Sequence, residues 1–113
     1  MDVRAFSEEL LRALAGIGVF ERVSLQTEGP IAKGRAQAGE GLFLRFYFNE
    51  ITGTLAFALI RGQERIWGLD HDGLRGWHLH PAIAPMSHIP VEPMSITEIV
   101  GRLRDVVAGE SAA

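Results

Sequence analysis

All four histidines of this chain lie between residues 71 and 88, in the stretch Asp70-His71-Asp72-Gly73-Leu74-Arg75-Gly76-Trp77-His78-Leu79-His80-Pro81 and then at His88. That clustering is where chemistry is first to be sought. In an extended backbone the His78-Leu79-His80 spacing sends both imidazoles to one side, about 6 to 7 Å apart at their origins. Asp70 and Asp72 repeat the same i, i+2 relation. Gly73 and Gly76 between the two pairs let the chain fold back, so that carboxylates and imidazoles can meet.

Two chemistries suit such a set. Two histidines with Asp70 or His88 supply three ligands and leave an open position, as catalytic zinc and non-haem iron require, so a divalent metal at His78, His80 and His88 is one cofactor reading. The carboxylate that a cupin-like site would want about four residues after the pair is missing, since residues 83 to 85 are Ile-Ala-Pro. The other reading uses no cofactor. His78 or His80, with an unperturbed pKa of about 6.5, acts as general base or acid, and Arg65 or Arg75 stabilises charge developing on phosphate, which would cleave RNA through its own 2′-hydroxyl. Against both stands a plain structural reading: solvated histidines on an edge strand, Asp72 opening a turn, and Arg65 or Arg75 paired with Asp70 or Glu64. His71 and Glu50 read as solvated rather than catalytic.

A second set interleaves cations with rings: Lys33, Arg35, Phe43, Arg45 and Tyr47. If the strand from Leu42 to Phe48 turns Leu42, Leu44, Phe46 and Phe48 inward, its pleat sends Phe43, Arg45 and Tyr47 to the opposite face. Hairpin pairing then sets Lys33, Arg35 and Gln37 beside them. This pattern suits single-stranded nucleic acid, with Lys33, Arg35, Arg45 and Tyr47 as contacts and Trp67 and Trp77 able to extend the platform. Exposed rings on an open sheet face equally suit a homodimer core.

Composition bounds these choices. At 113 residues, 47% hydrophobic and 22% charged, the chain reads as one soluble domain spanning 1–113, which excludes a disordered or collagen-like protein. Eleven basic residues against fourteen acidic ones give a net charge of −3, so any nucleic-acid site must be a local patch. There are no cysteines, hence no disulfide, thiolate metal site or Cys nucleophile. No apolar run reaches the roughly 18 residues of a membrane span, and the opening MDVRAFSEELLR reads as an amphipathic helix rather than a signal peptide. A cytoplasmic location without membrane contact is the expectation.

The elements that must position these residues follow from periodicity. Val3, Phe6, Leu10, Leu11 and Leu14 form a helical stripe over residues 3 to 15, ended by Gly16 and Gly18. Alternation from Arg22 to Glu28, the Gly29-Pro30 turn, and alternation from Ile31 to Ala38 predict two strands. Leu42 to Phe48, Thr54 to Ile60 and Arg65 to Asp70 add three more, and five sequential strands on short loops read as an antiparallel meander. Pro81, Pro85, Pro90 and Pro93 exclude a helix or central strand over 81 to 93, leaving a surface-tracking loop. Ser95-Ile96-Thr97-Glu98 is a capping box, with Met94 placed to staple onto Ile99, so a helix starts at Ile96. It carries Ile96, Ile99, Val100, Leu103, Val106 and Val107 on one stripe and stops at Gly109, with Glu110 to Ala113 frayed. The expected fold is α+β: a five-stranded antiparallel meander with N- and C-terminal helices on one face.

The order of these elements, with Gly62-Gln63-Glu64-Arg65-Ile66-Trp67-Gly68-Leu69-Asp70-His71-Asp72, a segment rich in His and Pro, and a terminal helix, resembles the TumE family of small prokaryotic toxin proteins over residues 54 to 107. In that resemblance Asp70 matches the motif aspartate, and His78, His80 and His88 match the histidine-rich segment. His71 stands where Asn is usual, and Gly68 and Leu69 replace an Arg-aromatic pair. The resemblance implies a toxin-like component paired with a helix-turn-helix antitoxin protein, with a nucleic acid as target. The residue reading adds action on RNA through Asp70, His78 and His80 beside Arg65, and its alternative is a non-catalytic homodimeric interaction module.

Overall fold

The computed structural model describes residues 1–82, 84 and 86–112; Ile83, Pro85 and Ala113, named above, lie outside them. Helix α1 (Val3–Ile17) buries Phe6, Leu10 and Leu14, which recur one helical turn apart. The Asp2 side chain caps it by accepting from the Ala5 amide at 2.8 Å, and Gly18 closes its far end. Seven strands follow: β1 (Arg22–Glu28), β2 (Ile31–Gln37), β3 (Leu42–Asn49), β4 (Thr54–Arg61), β5 (Glu64–Asp72), β6 (Gly76–His80) and β7 (Ile89–Pro90). Helix α2 (Ile96–Ala112) ends the chain's described part.

Each strand pairs antiparallel with the next, so the sheet order is the chain order. The α+β class and the meander agree with expectation, but the sheet has seven strands and not five. The two additional strands are short and carry Gly, His, Trp and Pro instead of an apolar alternation. Their pairing is supplied by the neighbouring strand, a tertiary cause that local pattern does not display. Pro90 is tolerated because β7 is the sheet edge.

Both helices lie on one face of the sheet. Leu42, Leu44, Phe46 and Phe48 of β3 point toward them, as do Leu55, Phe57 and Leu59 of β4 and Trp67 and Leu69 of β5, forming one core with the stripes of α1 and α2. Phe6 stacks on Phe48 with centroids 4.6 Å apart. The capping box forms as read, Ser95 Oγ accepting from the Glu98 amide at 3.1 Å and Glu98 Oε1 from the Ser95 amide at 3.4 Å. At its other end α2 runs past Gly109 to Ala112. Glu110 meets Arg61 of β4 at 3.0 Å, which holds the last turn against the sheet where fraying was expected.

The pleat decides what the second face carries. Lys33 pairs across from Tyr47, Arg35 from Arg45 and Gln37 from Phe43, so the expected set does share that face. Ala56 and Ala58 of β4 and Gly68 and Asp70 of β5 continue it, and Asp70 and Gly68 pair with His78 and His80 of β6. Trp67 and Trp77 do not extend the aromatic platform. They have the parity of Leu69 and Leu79, and both pack into or against the core on the helix side.

Candidate functional site

His78 and His80 are the two buried polar residues among those described, 5% and 2% exposed. Their register puts them on the face away from the helices, so the hydrophobic core does not cover them. The chain that leaves β6 returns to it as β7, with His78 opposite Pro90 and Leu79 opposite Ile89. That return brings His88 onto both rings, its centroid 5.5 Å from that of His78 and 4.4 Å from that of His80, while His78 and His80 are 5.3 Å apart. One nitrogen from each of the three rings lies within 4.8 Å of the others.

Asp70 joins this cluster through a single oxygen. Its Oδ2 lies 3.3 Å from His78 Nε2 and 3.2 Å from His80 Nε2. His80 Nδ1 faces Arg65 Nη2 at 3.2 Å. A guanidinium only donates, so His80 Nδ1 accepts and Nε2 carries the proton given to Asp70. His78 Nδ1 faces the Gly76 carbonyl at 3.3 Å. Both partners of His78 are acceptors, so either ring nitrogen of His78 has a protein oxygen in front of it. His88 reaches solvent, yet desolvation beside the other rings, then its electrostatic interaction with His80, Arg75, His78 and Arg65, hold it below its ordinary value of 6.5.

Three local features set this geometry. Gly76 takes φ +66°, a conformation that suits glycine, and so turns β5 into β6 with Asp70 facing His78. Asp72 Oδ1 accepts from the Leu74 and Arg75 amides at 2.9 and 2.6 Å, which fixes the same turn and leaves Asp72 in a structural role. A register shift between Leu59 and Ile60 places Arg65 opposite Ile60, and this bulge carries the guanidinium to the histidine face. Beneath the rings, Gly68 leaves space that a Cβ would fill, meeting His80 Cδ2, Arg65 Cδ and the Phe57 carbonyl oxygen at 3.3 Å each.

Of the residues expected to act together, Asp70 contacts both His78 and His80, and Arg65 meets His80. His88, named only as a third ligand, completes the group, whereas His71 stands apart. It faces the helix side with Trp77 at 5.0 Å between centroids, its Nδ1 at 2.9 Å from the Gly53 carbonyl. Glu50 is also structural, accepting from the Val3 amide at 3.2 Å at the start of α1. Gly68 and the bulge at Arg65 were missed. An isolated Gly within the apolar run Ile66 to Leu69 was the available sign of a close approach.

Beside the cluster a cavity of about 390 Å³ opens to solvent, lined by Arg75, His78, His88 and Pro90. A larger one, about 520 Å³, lies on the same face over β1 to β3. Comparison with protein-family models, with curated proteins and with solved structures found no match. Among the described residues, no helix is long and apolar enough to cross a membrane.

Proposed function

We propose that this protein binds a divalent transition metal through His78, His80 and His88, with Asp70 as the carboxylate that orients the first two rings. The convergence of one nitrogen from each ring within 4.8 Å carries this reading. Zinc–imidazole bonds of about 2.0 to 2.1 Å at tetrahedral angles separate neighbouring donors by roughly 3.3 Å. The rings therefore need to close by at most about 1.5 Å, and exposed His88 has the freedom to do so. An all-imidazole set suits zinc, nickel, copper or iron, and not calcium or magnesium, which take oxygen ligands.

Ligation would exchange one hydrogen bond of His78 and one of His80 for a metal bond. A carboxylate bonded to ligating imidazoles, as Asp70 is to His78 and His80, is the usual outer partner of such sites. With three protein ligands, a position stays open toward the cavity that Arg75 lines, which suits Lewis-acid chemistry on an anionic substrate. Metal-free acid–base catalysis by His78 and His80 would equally have to release a ring nitrogen from its protein partner, and it leaves the third ring, His88, without a part.

The test uses untagged protein. Zn²⁺ or Co²⁺ at a hundredfold excess over its dissociation constant should raise the melting temperature by on the order of 10 °C. His80→Asn and His88→Ala should keep the circular dichroism spectrum and lose the shift. An equal shift in those variants, or none in the parent protein, would overturn the reading.

A further inference from the structure

The larger cavity of the open face, about 520 Å³ over β1, β2 and β3, is lined by Lys33, Arg35, Phe43, Arg45 and Tyr47 with Ser24 and Gln26, and no carboxylate lines it. Among the described residues none of its three cations forms an ion pair, whereas Arg4, Arg61 and Arg104 elsewhere do. Arg35 and Arg45 sit directly opposite each other in the ladder, a like-charge pair that destabilises a sheet unless an anion lies between or above the two groups. Arg35 is already oriented, its guanidinium carbon 3.8 Å from the Phe43 ring centroid.

From these observations we infer that the groove over β1–β3 binds single-stranded nucleic acid, phosphates on Arg35, Arg45 and Lys33 and bases stacked on Tyr47 and on the Arg35–Phe43 pair. Along β3 the order Phe43, Arg45, Tyr47 repeats at two-residue intervals, about 6.8 Å, a step comparable with that between nucleotides in an extended strand. Cations for the backbone and rings for the bases are the two components of sequence-tolerant single-strand binding. A small phosphorylated molecule would use the cations and leave the rings idle. A second copy of this chain placed across a twofold axis would set the three cations against their own images. The inference stands apart from the metal centre, because none of its residues touches the histidines.

The experiment is fluorescence anisotropy of labelled oligouridylate and oligothymidylate about 12 nucleotides long, a length within the range of single-strand sites. EDTA is present throughout, so that metal plays no part. Binding should weaken as salt rises, and Arg35→Ser with Arg45→Ser should weaken it at least tenfold and flatten the salt dependence by about 1 to 2 units of slope. Tyr47→Phe should bind like the parent and Tyr47→Leu about tenfold more weakly, which separates stacking from packing. Arg102→Ser, on exposed α2, should change nothing. Four results would overturn the inference: no anisotropy change at low salt, binding undiminished in the double arginine variant, equal affinity for a duplex of the same sequence, or a stable dimer in sedimentation that the double variant dissolves.

Discussion

At the scale of single residues the histidine centre depends on an absent side chain. A methyl group at Gly68 would meet the His80 ring, the Arg65 stem and the Phe57 carbonyl oxygen at 3.3 Å, tighter than ordinary contact. Gly68→Ala should therefore move His80 by a few tenths of an ångström and weaken zinc binding about tenfold, while stability in urea changes by about 1 kcal/mol. A metal titration beside a urea melt separates the two effects. Asp72 gives a prediction in pH. Its carboxyl is held below the ordinary value of 3.8, chiefly by the Arg75 amide. A depressed folded value means that its contribution is complete above pH 3.8 and is lost as pH falls through that lower value. Amide exchange at Leu74 and Arg75, corrected for intrinsic rates, should accelerate only in strong acid, and Asp72→Ala should show the accelerated exchange already at neutral pH. The residue types of the site were legible, since His78, Leu79 and His80 need only an extended backbone to share a side. The roles of Gly68 and Arg65 were not, because each depends on a neighbouring strand: one on the ring above it, the other on a bulge opposite β4.

At the scale of elements, signals closed within one turn or one hairpin could be read directly. The Ser95 to Glu98 box and the alternation of Leu42 to Phe48 state their own partners. The β6 to β7 return does not, since Ile89 and Pro90 become a strand only through Leu79 and His78, and that return is what brings His88 to the other rings. The same contrast explains the end of α2. Gly109 is a local stop signal, and the distant Arg61 overrides it through Glu110. That pair is partly exposed, so Arg61→Ala should cost no more than about 1 kcal/mol overall. Its consequence should be local: faster amide exchange in the last turn of α2 with the rest of the helix unchanged. Phe6 is the opposite case, fully buried and stacked on Phe48, and Phe6→Ala should cost about 3 to 5 kcal/mol in chemical denaturation because it empties the contact between α1 and the sheet.

At the scale of the whole molecule the two sheet faces have separate duties. The helix-covered face holds nearly all the buried apolar side chains, and the histidine cluster lies on the other. Folding should therefore not require metal. In EDTA the protein should keep its far-ultraviolet circular dichroism and a single cooperative melt, at a lower temperature than with zinc, and a collapse of structure on chelation would contradict this division. The margins of the sheet differ as well. At β7 the Val91 amide bonds inward to the Trp77 carbonyl, so alternation turns the nitrogen of Pro90 outward, where it has no hydrogen to offer. At β1 seven residues form the other margin, and none of them is proline. Among the described residues, assembly by backbone annealing would therefore favour the β1 margin, where two molecules joined edge to edge would each cover the other's open ladder.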